Sequence, residues 1–507
     1  MSAPLPVSVT PAARTAVRVL AVALPLGVFG DLALRGMPWG LNVALSIVAL
    51  VAAGAGVPAG GPTAIRREAQ WLALLAVSLG CSYARRDSDM LAFCNLVAIA
   101  CTLAWAAAAA RGSRIRTLSP REHFHAVADA AVNCWFGALP LVARDVPWSA
   151  LAIPGRRRLA SALVGVALGI PLLAVFGALF ASADPVFGTF ASRAVRVDPA
   201  VVLSHGILTG VWGGIVAGFL AFALLPAPRT PLRMHVVPDA PRLDPLTVAV
   251  PLALVTTLFL LFVLVELRYF FGGAGRVAAI AGLTYAEYAR SGFFELLGAA
   301  GLVVPCLLAG DRALREAPEA GRRAYRRLAA GLLVLVGVIV VSALERMRLY
   351  VRAYGLSEIR LYATVAMVYV TFVAAWLAAT VLRGRREHFS FGAVVAAYTL
   401  LAGLNLTNPD ALIVRTNLDR GSVAQPFDAK YAVSLGADAI PTLVAAWPRL
   451  DAATRCDATH ALLARWRTLP AGDWRSWNWA RSRELRLRRA FAPTLEATTC
   501  AAPETPR

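Results

Sequence analysis

The sequence predicts an all-α, polytopic integral-membrane helix bundle of about eleven transmembrane helices, closed by a small helical C-terminal region. Three observations carry that prediction. Apolar stretches long enough to cross a bilayer alternate with short arginine-rich breaks from about Val17 to Leu406. The 507 residues are 58% hydrophobic and only 16% charged, with a mean hydropathy of +0.63. A soluble domain is nearer half apolar and a quarter charged, so this chain needs lipid as solvent. Beyond Leu406 the pattern changes, and about a hundred polar residues follow. The chain therefore divides into a multi-span domain, 1–406, and a polar, mostly helical region, 407–507.

Spanning segments must be helical, because only a helix satisfies its own backbone in hydrocarbon, and each needs about 20 apolar residues. In order they are 17–34, 40–57, 69–84, 90–110, 159–182, 202–225, 246–267, 292–310, 328–345, 360–382 and 389–406. The first follows Arg14 and Arg18 like a signal sequence, but it lacks a clear small-x-small cleavage site and reads as retained. Pro171 and Pro251 fall inside spans and imply kinks. The segment 123–142 is moderately apolar between two arginine-rich flanks. His125, Asp129 and Asn133 recur at helical spacing and give it one polar face. It reads as an interfacial or re-entrant helix, because spanning would invert every later loop against the charge bias. In the tail, Asp438 is placed to cap a helix with Pro441 in its first turn, and Asp451 and Asp473 precede two more helices.

The formal charge of +20 comes almost wholly from arginine, since Lys430 is the only lysine. Its placement in short breaks argues against nucleic acid and for the positive-inside rule, with anionic lipids as partners. Arg66, Arg67, the arginines of 111–158 and 229–242, the run Arg312, Arg315, Arg322, Arg323, Arg326 and Arg327, and Arg383, Arg385 and Arg386 fall on one side. That bias puts the N-terminus inside and the tail outside. Five cysteines sit in apolar surroundings as small hydrophobes. Cys456 and Cys500 lie in the tail and can pair if it is extracytoplasmic.

On the predicted outer side, four polar-aromatic blocks gather: TYAEYARSGFFE at 284–295, the arginine- and tyrosine-rich 345–362, the tail start at 408–420 with 427–441, and WRSWNWAR at 474–481. Within them the candidate outer-face site comprises Glu287, Arg290, Glu295, Glu345, Arg348, Arg352, Glu358, Arg360, Asp410 and Arg415. Guanidinium forks there can hold a carboxylate or phosphate. The plainer reading is a mesh of ion pairs tying span ends to the tail, since acids nearly balance arginines. Gly355 fits a helix stop and Ser357 a cap. Glu295 could carry a proton, or pair with an arginine at a span end. Asp410, Asp419, Asp428 and Asp438 match no EF-hand spacing, and His123, His125 and Asp129 form no metal signature. Trp474, Trp477 and Trp479 could stack on sugars or mark an interfacial segment. With no Walker, GxSxG or dinucleotide-binding glycine pattern, no cofactor is implied.

The blocks 284–295, 346–362, 408–420 and 428–441 resemble the family catalogued as domain of unknown function 4173, related to 4153, over about 246–479. The resemblance implies a bacterial multi-pass membrane protein, and hence the inner membrane. It carries no reaction, ligand or catalytic residue. The sequence therefore favours a non-enzymatic envelope protein that binds or transports a small polar or anionic solute, or an envelope component. One alternative is a membrane transferase acting on lipid-linked substrates, with Glu287, Glu295 or Asp410 as acid or base. Another is a sensor or scaffold subunit with a cytoplasmic partner.

Overall fold

The computed structural model describes residues 10–57, 63–148, scattered positions between 165 and 184, 199–226, 243–272, 293–420, 427–469 and 472–497. All regular structure among these residues is helical. Among the described residues, eight helices are long and apolar enough to cross a membrane, or nine if one bent pair counts as a span. The protein is thus an all-α membrane helix bundle. Of the eleven stretches expected, 159–182 lies largely outside the described residues, Pro171 included. Two others are helical but short of apolar length. Helix α2, Leu41–Gly56, has 16 residues. That is about 24 Å, less than the roughly 30 Å hydrocarbon core. Helix α3, Thr63–Tyr83, opens with Arg66, Arg67 and Glu68, which shorten its apolar stretch.

The chain splits into two compact units, the first comprising Met1–Met37, Ser46–Pro62 and Ala128–Arg233. In it α1, Pro11–Leu34, packs antiparallel on α7, Pro199–Leu224. Small residues set the approach: a β-carbon on Gly27 would lie 2.6 Å from the Thr209 carbonyl and 2.9 Å from the Gly213 backbone. Without a hydrophobic drive between helices in lipid, such close packing supplies the dispersion energy that holds a pair. At one end of the pair Asp31, almost fully buried, meets Arg35 at 3.1 Å and the His205 ring. The segment at 123–142 forms α5, Pro120–Phe136, and α6, Ala138–Asp145, bent by 53° at Gly137. That bend is the geometry of a re-entrant segment, and equally of a broken span.

The second unit comprises Pro38–Leu45, Thr63–Val127 and Met234–Arg507. Its spans are α4, Asp89–Ala110; α8, Pro245–Gly272; α9, Phe293–Ala313; α10, Glu319–Tyr354; α11, Glu358–Thr380; and α12, Glu387–Thr407. Helix α10 has 36 residues and buries Ala329, Leu332, Val336, Val340, Ala343 and Met347, the three-and-four spacing of one helix face. Leu307, Met367 and Leu377 close on it from α9 and α11. Two ion pairs pin this core, Glu266 with Arg346 and Asp311 with Arg386.

After a corner at Asn408, with φ of 58°, the chain forms α13, Pro409–Arg420; α14, Ala429–Ser434; α15, Ile440–Ala445; α16, Ala452–Thr468; and α17, Trp479–Glu496. They enclose a separate core of Ile413, Ile440, Leu443, Leu462 and Trp466, all buried. Asp451 caps α16 through Thr454 N at 2.9 Å, as its position in sequence implies. Pro441 is in the first turn of α15, but Asp438 does not cap it; the cap residue is Ala439 and the Asp438 carboxylate is used elsewhere. Asn478, not Asp473, caps α17. The polar region beyond Leu406 belongs to the same compact unit as the later spans.

Candidate functional site

A dense polar network of the second unit lies where the tail meets the span ends. The break between α3 and α4 carries Arg85, Arg86, Asp87 and Ser88, and the tail closes around it. Asp438 accepts from the Asp87 N–H at 2.7 Å, from Arg86 at 3.2 Å and from Asn408 Nδ2 at 3.0 Å. Asp87 in turn accepts from the Ala437 N–H at 3.1 Å and pairs with Arg481. Asn478 donates to the carbonyls of Tyr83 and Arg86 while it caps α17. Gly436 makes this approach possible: a β-carbon there would lie 1.5 Å from the Asp87 carbonyl and 2.6 Å from Asp410 Oδ2.

Beside this network is a cavity of about 220 Å³ lined by Arg85, Arg86, Asn408, Asp438, Trp479 and Arg483, among others. Arg86 is neutralised by Asp438. Arg85 and Arg483 pair with no carboxylate among the described residues, so the cavity is cationic. The exposed Trp479 indole offers a flat apolar wall, and Arg486 stacks on its ring at 5.4 Å. Such a pocket can hold a small anion by charge-assisted hydrogen bonds.

Under the network lies Asp410, fully buried. Its Oδ2 accepts from the Gly436 N–H at 3.1 Å, while its Oδ1 has no partner. Burial pushes its pKa up to about 7, helped by the charges of Glu358 and Asp438 and opposed by the Gly436 N–H. Burial also raises Asp438, against the pull of the Asp87 N–H and Arg86.

The structure disperses most of the sequence-derived candidates. Glu287 and Arg290 lie outside the described residues. Glu295 is exposed on the first turn of α9. Glu345 and Arg348 make an exposed pair at 3.4 Å. Arg352 is exposed, and its carbonyl accepts from Arg420. Arg360 donates to the carbonyls of Tyr354 and Gly355 and covers the Tyr350 ring at 4.1 Å, so it closes the end of α10. Gly355 ends that helix with φ of 81°, as anticipated. Arg415 is exposed on α13. Apart from the Glu345–Arg348 pair, Glu358 and Asp410 are the candidates that come together. His123 is buried edge-on to Trp105, and His125 accepts from Arg121. No group of three histidines, cysteines or acids able to hold a metal occurs among the described residues. Cys456 is disulfide-bonded; Cys500 lies outside the described residues.

Sequence reasoning missed Arg85, Arg86, Asp87, Ser88, Asn478, Arg481 and Arg483 as site residues. The signal available was the run Arg85-Arg86-Asp87-Ser88-Asp89, dense charge in a break only a few residues long. No curated protein and no solved structure matches the chain. A family match covers residues 73–446, reaching well upstream of the four blocks that first carried the resemblance. It is to 4153, the relative of the family first named by those blocks. By that match the chain belongs to the family described as Domain of unknown function (DUF4153).

Proposed function

We propose that this protein is a bacterial inner-membrane protein that binds a small anionic solute, or the anionic group of an envelope component, in the cavity between Arg85, Arg483 and Trp479. The observation that carries the reading is the pair of guanidiniums without carboxylate partners among the described residues on one cavity of about 220 Å³. A neighbouring Asp438 is already neutralised by Arg86. Arginine is the residue suited to planar, two-point contact with phosphate or carboxylate. The tail is extracytoplasmic in this reading. The arginine bias of the breaks supports that side, and so does the disulfide of Cys456, since disulfides persist in oxidising compartments.

The transferase alternative needs an acid free to face a bound substrate. Asp438 is the carboxylate on the cavity wall, and three donors occupy it. Binding is therefore the better-supported function. Full-length protein in detergent, titrated with sulfate, glycerol phosphate and citrate, should show saturable binding of at least one. Arg85→Ala with Arg483→Ala should weaken it at least tenfold, about 1.4 kcal/mol, while Arg348→Ala leaves it unchanged. Equal binding by the double variant would dismiss the cavity.

A further inference from the structure

Asp410 has a chemistry the anion cavity does not use. It is fully buried, it does not line that cavity, and one of its carboxyl oxygens has no hydrogen-bond partner. Two further buried oxygens beside it, Ser88 Oγ and Tyr362 Oη, are also without partners. Three orphaned oxygens in one place are costly as they stand, since each forgoes the hydrogen bonds that water supplied.

The charges around the group sharpen the problem. From α11 it faces Glu358, and behind Glu358 stands Asp89. From the tail it faces Asp438 and the Tyr431 phenol. The nearby cations are engaged: Arg86 on Asp438, Arg481 on Asp87, Arg360 on the carbonyls that end α10. A carboxylate here would be buried among like charges with a single N–H donor. A carboxylic acid would instead bring an O–H of its own, for which Ser88 Oγ and Tyr362 Oη are acceptors.

We propose that Asp410 is a proton-binding site, and that the proton it holds completes the hydrogen bonding of Ser88 and Tyr362 and fastens the tail to the break between α3 and α4. The tail is coupled because Gly436, whose N–H donates to Asp410, is joined to Ala437 and Asp438, which grip Asp87. This inference does not depend on what the anion cavity binds.

The direction with pH follows. Docked, the carboxyl titrates at about 7; in the unfolded chain it returns to its usual 3.8. Between those values the docked state holds the extra proton. Docking is strongest at the acid end and weakens as pH rises through about 7. Infrared difference spectroscopy on the full chain in lipid nanodiscs, from about pH 5 to about pH 9, tests this, with hydrogen exchange over 428–446 followed alongside. The expected result is a protonated-carboxyl carbonyl band lost with a midpoint near neutrality and absent in Asp410→Asn. Protection of 428–446, corrected for intrinsic exchange, should fall with pH in the wild type and stay level in that variant. Should Asp410→Asn fail to fold, Tyr362→Phe serves: it removes an acceptor of the acid proton, so the midpoint should fall. A wild type with no acid band at any pH, a band that survives Asp410→Asn, or a midpoint that does not fall in Tyr362→Phe would overturn the proposal. Docking that depends on added sodium or calcium, with no acid band, would overturn it in favour of a metal ion.

Discussion

Two ion pairs in the second unit show how burial, more than charge, decides what a residue is worth. Glu484 is fully buried and receives Arg465 at 2.7 Å and the Trp466 indole N–H at 3.1 Å. Removing one partner leaves the other charge stranded, which costs roughly 3–5 kcal/mol. Glu484→Ala should therefore lower the thermal midpoint of the tail sharply. Glu345→Ala removes an exposed partner of Arg348 and should shift it by under about 1 kcal/mol. Circular dichroism melts of both variants in one detergent decide the contrast; equal effects would mean that the Glu484 network is not intact in solution. Asp451 belongs at this scale as well. The Thr454 N–H and hydroxyl hold its carboxyl below the ordinary value of 3.8. Its cap is present above that pH and is lost as pH falls through the lowered value. Asp451→Ala should cost about 1 kcal/mol at neutral pH, with the difference from wild type shrinking in acid.

Helices in this protein meet by close backbone approach as much as by side-chain interlock. The α1–α7 pair has no space for a side chain at Gly27, where backbone atoms of Thr209 and Gly213 stand within 3 Å of the missing β-carbon. Gly27→Leu should force the pair apart and abolish a well-folded yield in detergent, as judged by size-exclusion profile. Gly206→Ala, on the same α7 but with nothing within 4 Å, should be neutral or stabilising by about 0.5–1 kcal/mol, because alanine costs the helix less backbone entropy. If both behave alike, the tight crossing is wrong. The α12–α13 corner poses a similar question. Asn408 takes a left-handed conformation that asparagine tolerates, and its amide reaches Asp438. Those two facts tie a backbone turn to the polar network, so Asn408→Val should disturb both.

For the whole molecule, the decisive quantity is the side on which the tail lies. Cys456 is disulfide-bonded. In intact cells, a membrane-impermeant maleimide should label it only after mild reductant, with no need for permeabilisation. Labelling that requires permeabilisation would place the tail inside and reverse every face named above. The same scale shows why the candidate site was only half legible. Arg348, Arg352 and Arg360 drew notice because they cluster in sequence, yet Arg348 and Arg352 share one exposed face of α10 while Arg360 seals that helix's end. Asp410 drew notice for its place at the tail start, but its neighbours Ser88 and Gly436 lie hundreds of positions upstream or across a loop, where no spacing rule reaches.

By itself the sequence determined the solvent, the helical class and most of the span boundaries. Those depend on local apolar length, which hydrocarbon enforces residue by residue. It also determined the caps at Asp451 and the stop at Gly355, where one side chain or one glycine acts on its own turn. The tertiary structure alone decided which charges are buried, which pairs are real and where a cationic cavity opens. Burial, desolvation and hydrogen-bond partnership are set by groups distant in the chain: Asp87 and Asp438 are 351 residues apart and share one hydrogen bond.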